Sequence, residues 1–278
     1  MKKATLYFLA CAFVISFSAC SNYNEVMRTN DYDYKYEVAK QYLAEGQSNR
    51  AAILFQEVIA MLKGTDKGEE SLFLLGMSHY QAENYDAAAS VFRKFYETYP
   101  KGYLVEEARF YAGKALYECT PEPKLDQSAT YEAISEFQGF LDAYPDSKLR
   151  ESAQQMIFAL QDKLVEKEYM SAKLYYDLGS YFGNCTNGGS NYQACIVTAE
   201  NALKDYPFSN RREDFAILVL RAKFELARQS VEEKKEERYH NAIDEYYGFT
   251  NEYPESKYMG EAQKLFEQAS PYVNEEEE

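Results

Sequence analysis

The dipeptide Tyr-Pro closes four segments of this 278-residue chain, at Tyr99-Pro100, Tyr144-Pro145, Tyr206-Pro207 and Tyr253-Pro254. Self-similarity at such spacing restricts the chain to repeat architectures. Counted from each proline, position −12 holds Ala88, Ala133, Cys195 and Ala242. Position −8 holds Phe92, Phe137, Ala199 and Tyr246, and position −5 holds Phe95, Phe140, Ala202 and Phe249. After the proline, +8 holds Ala108, Ala153, Phe215 and Ala262, and +15 holds Ala115, Leu160, Ala222 and Ala269. Steps of three and four put these residues on one face of a helix. The residue before a proline is pushed out of the α region, so one helix stops there and another follows. Small side chains let two helices approach closely, and aromatics fill the space beside them. The unit is a helix hairpin, and hairpins must stack to bury both of their faces.

Gly64 fills the proline slot of an earlier copy, with Ala52 before it and Leu72, Leu75 and His79 after it. The second copy follows the tetratricopeptide pattern: Leu72, Leu75, Gly76, His79, Ala88, Phe92, Phe95 and Pro100 keep its spacing. The expected fold is therefore all-α, a tetratricopeptide-like α-solenoid of about five helix hairpins plus a C-terminal capping helix. Slot spacings of 36, 45, 62 and 47 residues show later copies to be longer. Thr120-Pro121-Glu122-Pro123 lengthens one loop. Between Lys148 and Phe182 there is no proline, and Met156, Leu160, Leu164, Tyr169, Ala172 and Tyr176 keep a helical period, predicting one long helix or two nearly in line.

The chain opens with Lys2 and Lys3, an apolar run from Ala4 to Phe17, and Ser18-Ala19-Cys20. That is the order of a secretory leader, too short for a span, which needs ~20 apolar residues. A cysteine at the cut is a lipid-attachment site, and Phe17-Ser18-Ala19-Cys20 resembles a bacterial lipobox. The expected organisation is a lipoprotein signal peptide over 1–19, lipidated Cys20 and a polar tether over 20–30, N-terminal hairpins over 31–146, C-terminal hairpins with a long connecting helix over 147–272, and an acidic disordered tail over 273–278. Ser21 after the lipid cysteine, in place of Asp, points to the outer membrane, periplasmic face.

Thirty Lys and Arg against 45 Asp and Glu give a net charge of −15, which disfavours nucleic acid. Two histidines and no Trp leave little for catalysis or metal binding. There is no HExxH, P-loop or GxSxG motif, so no catalytic residue, metal or cofactor is expected. His79 occupies a packing slot, and His240 opens the last hairpin. Acidic pairs such as Glu69-Glu70 and Glu106-Glu107 suit helix starts. Cys185 and Cys195 flank a Gly-rich loop and are a candidate disulfide in an exported protein, half-buried thiols being the alternative. In the second and third hairpins, inward slots hold Phe73, Met77, Tyr80 and Arg109. Aromatics with Arg are the composition of interface hot spots, and these four are the candidate partner-binding groove.

An exported lipoprotein with about five such hairpins resembles the BamD family, lipoproteins of the machinery that assembles β-barrels in the bacterial outer membrane. The resemblance rests on Cys20, on the Tyr-Pro turns continuing as Asp146-Ser147-Lys148 and Glu255-Ser256-Lys257, and on Lys163-Leu164-Val165-Glu166-Lys167-Glu168-Tyr169-Met170-Ser171-Ala172. It implies a scaffold that docks the periplasmic domains of a BamA-like barrel protein and engages unfolded outer membrane clients. Two readings compete with it: another periplasmic tetratricopeptide adaptor, and a glycan-binding lipoprotein, against which the absence of Trp counts.

Overall fold

The computed structural model describes residues 23–181 and 190–273. Residues 23–28 are helical (α1). Eleven longer helices follow: α2 (Tyr32–Ala44), α3 (Ser48–Met61), α4 (Asp66–Gln81), α5 (Tyr85–Thr98), α6 (Val105–Cys119), α7 (Ser128–Ala143), α8 (Arg150–Leu178), α9 (Asn191–Asp205), α10 (Arg212–Arg228), α11 (Glu232–Glu252) and α12 (Met259–Ala269). No strand occurs among the described residues. Consecutive helices pair as five hairpins, α2–α3 through α10–α11, and α12 caps the last. The region between Lys148 and Phe182 is one helix, α8.

The chain divides into two compact units, one comprising residues up to Pro121 with Gln127–Leu160, the other Glu122–Asp126 with Gln161 onward. In the first, Phe92, Phe95, Phe137 and Phe140 are fully buried beside Ala88, Ala108, Ala133 and Ala153, all at 0% exposure. Each such ring contributes about 1.5–3 kcal/mol by leaving water. Helix spacing is set by glycine: a Cβ at Gly76 would stand 2.6 Å from the Phe92 ring, and one at Gly113 would stand 2.9 Å from Phe137. In the second unit, Val165 and Ala172 of α8 pack with Tyr192, Cys195, Ala199, Phe215 and Leu218. Ala262 and Ala269 of α12 are buried at 0% and 1%, the former against Phe249.

The four tyrosines of the Tyr-Pro turns share one conformation. Tyr99, Tyr144, Tyr206 and Tyr253 each follow a helix with φ between −133° and −123° and ψ of 61–66°, and each N–H donates to a carbonyl four residues back. This is the non-helical geometry a following proline imposes. Three of the rings also lean on the phenylalanine at −5, with centroids 5.4–5.6 Å apart.

The expected polar tether over 20–30 is corrected in its second half. Val26 is 1% exposed, Tyr23 and Met27 pack with it on the first hairpin, and the Arg50 guanidinium lies 5.1 Å over the Tyr23 ring. Lys35, 3% exposed, clamps this segment: its Nζ donates to the Met27 carbonyl at 3.2 Å and to the Glu57 carboxylate. Cys195 is a fully buried free thiol, pushed up to about 12 by burial. Its candidate partner Cys185, like Cys20 and the tail from residue 274, lies outside the described residues.

Candidate functional site

The four groove candidates fall on α4 and α6, and the structure separates them. Phe73 is a core side chain at 9% exposure, its ring 5.5 Å from Phe92, 5.9 Å from Phe95 and 6.3 Å from Tyr111. Met77 is half-buried. Tyr80 is half-buried between Tyr85 at 5.4 Å and Tyr111 at 5.8 Å. Its hydroxyl donates to Glu118 Oε1 at 3.4 Å, and the Lys114 ammonium lies 5.3 Å over its ring. Burial and the Glu118 charge hold the phenol protonated. Arg109 is elsewhere: its guanidinium stacks 4.6 Å over Tyr96 of α5 and reaches the Gly139 carbonyl of α7 at 3.5 Å.

A one-residue offset explains the misplacement. Gly76 meets Phe92 as Gly113 meets Phe137, so these glycines are equivalent. Gly76 lies twelve residues after Gly64, whereas Gly113 lies thirteen after Pro100. One residue turns a helix by about 100°. Counting from the glycines, Phe73 matches Phe110, Met77 matches Lys114 and Tyr80 matches Tyr117. Phe110 is indeed buried at 6%. The set that shares a face is therefore Met77, Tyr80, Lys114 and Tyr117, all half-buried. Lys114 and Tyr117 were missed as site residues, and the Gly113 register was the signal that would have found them.

The Cys119 thiol bonds Asp86 at 3.3 Å and is pushed up to about 12 by burial and that carboxylate. His79 is half-buried and held below its ordinary value by burial. Exposed His240 lies 3.7 Å from Asp244. Among the described residues no group of His, Cys, Asp and Glu is placed to hold a metal ion.

The stretch 163–172 does structural work in the second unit. Glu166 pairs with Arg211 at 2.5 Å, and that guanidinium lies 4.5 Å over Tyr169, whose ring meets Phe215 at 5.5 Å. Lys167 donates to the Leu125 carbonyl at 3.2 Å. No described helix is long and apolar enough to cross a membrane.

Antiparallel hairpins stacked through alanine and glycine contacts, four of the five closed by the same Tyr-Pro turn, define a helical-repeat protein of the tetratricopeptide kind. Within that class the chain belongs to the YfiO outer membrane lipoprotein family, which matches residues 29–187. It is 24% identical over 144 residues to the outer membrane protein assembly factor BamD of Caulobacter vibrioides. That match covers 52% of this chain and 47% of the relative, so the chain spans about half the length of its curated relative. Among solved structures, the TPR2AB domain–pHSP90 complex of yeast Sti1 is similar at 13% identity and a TM-score of 0.39, covering 86% of this chain and 98% of that one. A putative kinesin light chain of Podosopora anserina with TPR-like repeats is similar at 14% identity and a TM-score of 0.33, covering 86% and 93%.

Proposed function

We propose that this protein is a scaffold of the outer membrane β-barrel assembly machinery, held on the periplasmic face by lipid on Cys20. It docks the periplasmic part of a BamA-like barrel and engages unfolded clients. The observation that carries the reading is the family match over 29–187, together with a relative that is itself named an assembly factor. The protein contributes binding free energy and placement rather than chemistry, with Met77, Tyr80, Lys114 and Tyr117 as the partner-facing side chains of the second and third hairpins. Tyrosines backed by aromatic neighbours are suited to that task, since they bring large area at small entropic cost.

Depletion tests it. Quantitative proteomics of outer membranes after loss of the protein is expected to show many β-barrels falling together, and pull-down from solubilised membranes is expected to recover a BamA-like partner. If barrel levels hold and no such partner is recovered, the assembly role is wrong and a different periplasmic adaptor role takes its place. Cys20→Ala is expected to release the protein from the membrane fraction or stall its processing. Unchanged size and partitioning of that variant would remove the lipid anchor from the reading.

A further inference from the structure

The turn joining α7 to α8 and the turn joining α11 to α12 are built alike. In each, a serine hydroxyl donates to a glutamate at the start of an earlier helix, Ser147 to Glu106 and Ser256 to Glu213, both at 2.5 Å. Each hydroxyl also accepts from the N–H two residues on, Leu149 or Tyr258, at 2.9 Å. The carboxylate after that glutamate, Glu107 in one unit and Asp214 in the other, therefore occupies equivalent ground.

The two carboxylates differ in what meets them. Asp214 accepts from the Tyr258 hydroxyl at 2.6 Å and lies 3.3 Å from Lys257 Nζ and 3.2 Å from Arg211. In the first unit Lys148 matches Lys257, but the counterpart of Tyr258 is Leu149 and that of Arg211 is Leu104. An open cleft of about 770 Å³ stands there instead, lined by Glu106, Glu107, Phe110, Tyr111, Tyr144 and the turn residues from Pro145 to Leu149. We propose that this cleft binds the guanidinium of an arginine presented by an extended segment of a partner polypeptide. The second unit supplies within its own chain, as Arg211, the guanidinium that the first unit takes from outside.

Charge and shape favour that occupant. Glu106, Glu107 and Asp146 outweigh Lys148 in the lining. The Tyr144 ring borders the cleft beside these carboxylates, and a guanidinium combines stacking on such a ring with a fork of donors for carboxylate oxygens. The chain uses the same combination on itself: Arg221 lies 5.3 Å over Tyr258 and bonds both oxygens of Glu261 at 2.6 Å. A cleft of this volume has room for the residues flanking the arginine.

The test is a calorimetric titration of the full mature chain at low salt with acetyl-Leu-Arg-Leu-amide and with its citrulline counterpart, which keeps the shape and loses the charge. The arginine peptide is expected to bind about tenfold more tightly, and Glu107→Gln is expected to remove about that factor. Leu149→Tyr, which rebuilds the turn of the second unit, is expected to abolish binding. Asp214→Asn and the exposed Glu151→Gln are expected to leave it unchanged, with circular dichroism confirming the fold of every variant. Equal affinity for the two peptides, no binding of either, or equal losses in Glu107→Gln and Glu151→Gln would overturn the proposal.

Discussion

One junction of the second unit meets the packing problem of the first with the large and small residues exchanged, while α11 and α12 keep the first unit's order with Phe249 and Ala262. In the first, aromatics sit on the second helix of a hairpin, as Phe92 and Phe95 or Phe137 and Phe140, and the helix that follows brings Ala108 or Ala153. Across α9 and α10 the order is inverted: Ala199 and Ala202 stand in the aromatic slots, and Phe215 stands where the alanine was. All are 2% exposed or less. Two aromatic slots give way to alanine and one alanine slot to phenylalanine, so the large side chain passes to the other helix while all three positions stay buried. A repeat can therefore lose its signature letters without losing its geometry.

The largest expected effect tests that exchange. Phe137→Ala in the first unit and Phe215→Ala in the second should each cost about 3–5 kcal/mol, since both rings are fully buried. Ala199→Phe, which restores the aromatic slot while Phe215 still fills the space, should cost about 1–3 kcal/mol by overpacking. Chemical denaturation followed by far-ultraviolet circular dichroism measures all three. A neutral Ala199→Phe would show the second unit to be loosely packed and break the comparison.

Next in size is the glycine contact of the first unit. Gly113→Ala puts a methyl 2.9 Å from the Phe137 ring and should cost about 1–3 kcal/mol. Adding Phe137→Leu should make the pair less destabilising than the sum of the two singles, because each relieves the other. Strict additivity would mean that the close approach is not what the glycine serves.

Acid separates the units at a smaller scale. Burial alone would raise Asp214, but the Tyr258 hydroxyl and the Lys257 ammonium outweigh it and hold this carboxyl low. Arg212 lowers Glu252 and Arg221 lowers Glu261 through direct hydrogen bonds. In the first unit Glu70 is held low, Tyr36 and Lys40 outweighing its burial. A depressed carboxyl's contribution is complete above its unfolded value, near about 4, and is lost as pH falls from there through the lower folded value. Hydrogen exchange resolved by peptide should show the second unit loosening more than the first as pH drops through that range. Asp214→Asn should flatten part of the difference.

Most of the fold was legible because helix packing repeats its demands at fixed offsets. Ala88, Ala133 and Cys195 at −12 are all fully buried, and the Tyr-Pro turns end α5, α7, α9 and α11. The candidate site was half legible. Met77 and Tyr80 lie together on one face of α4, but Arg109 stands apart from them, because its slot was counted from Pro100 when the helix register is carried by Gly113. The docking of 23–28 gave no periodic signal, since Tyr23, Val26 and Met27 are too few to show one. At the cleft, Leu149 and Leu104 stand where the second unit has Tyr258 and Arg211, a difference that matters only once the two turns are matched through Ser147 and Ser256.

The smallest expected effect lies at milder pH and belongs to the first unit. His79 sits in a packing slot of α4, where burial holds its imidazole below the ordinary value. Between the unfolded value near 6.5 and the lower folded one, the unfolded chain binds more protons than the native chain. Stability is therefore complete above about pH 6.5 and declines as pH falls below it, before the carboxylates of the second unit begin to titrate. Midpoints of urea unfolding measured at pH 7.5 and pH 5.5 should fall slightly for the native sequence and stay level for His79→Gln, with exchange in α4 following the same order. A native midpoint that does not move across that interval would mean the histidine is hydrated enough to charge in place. The acid response of both units would then belong to their carboxylates alone.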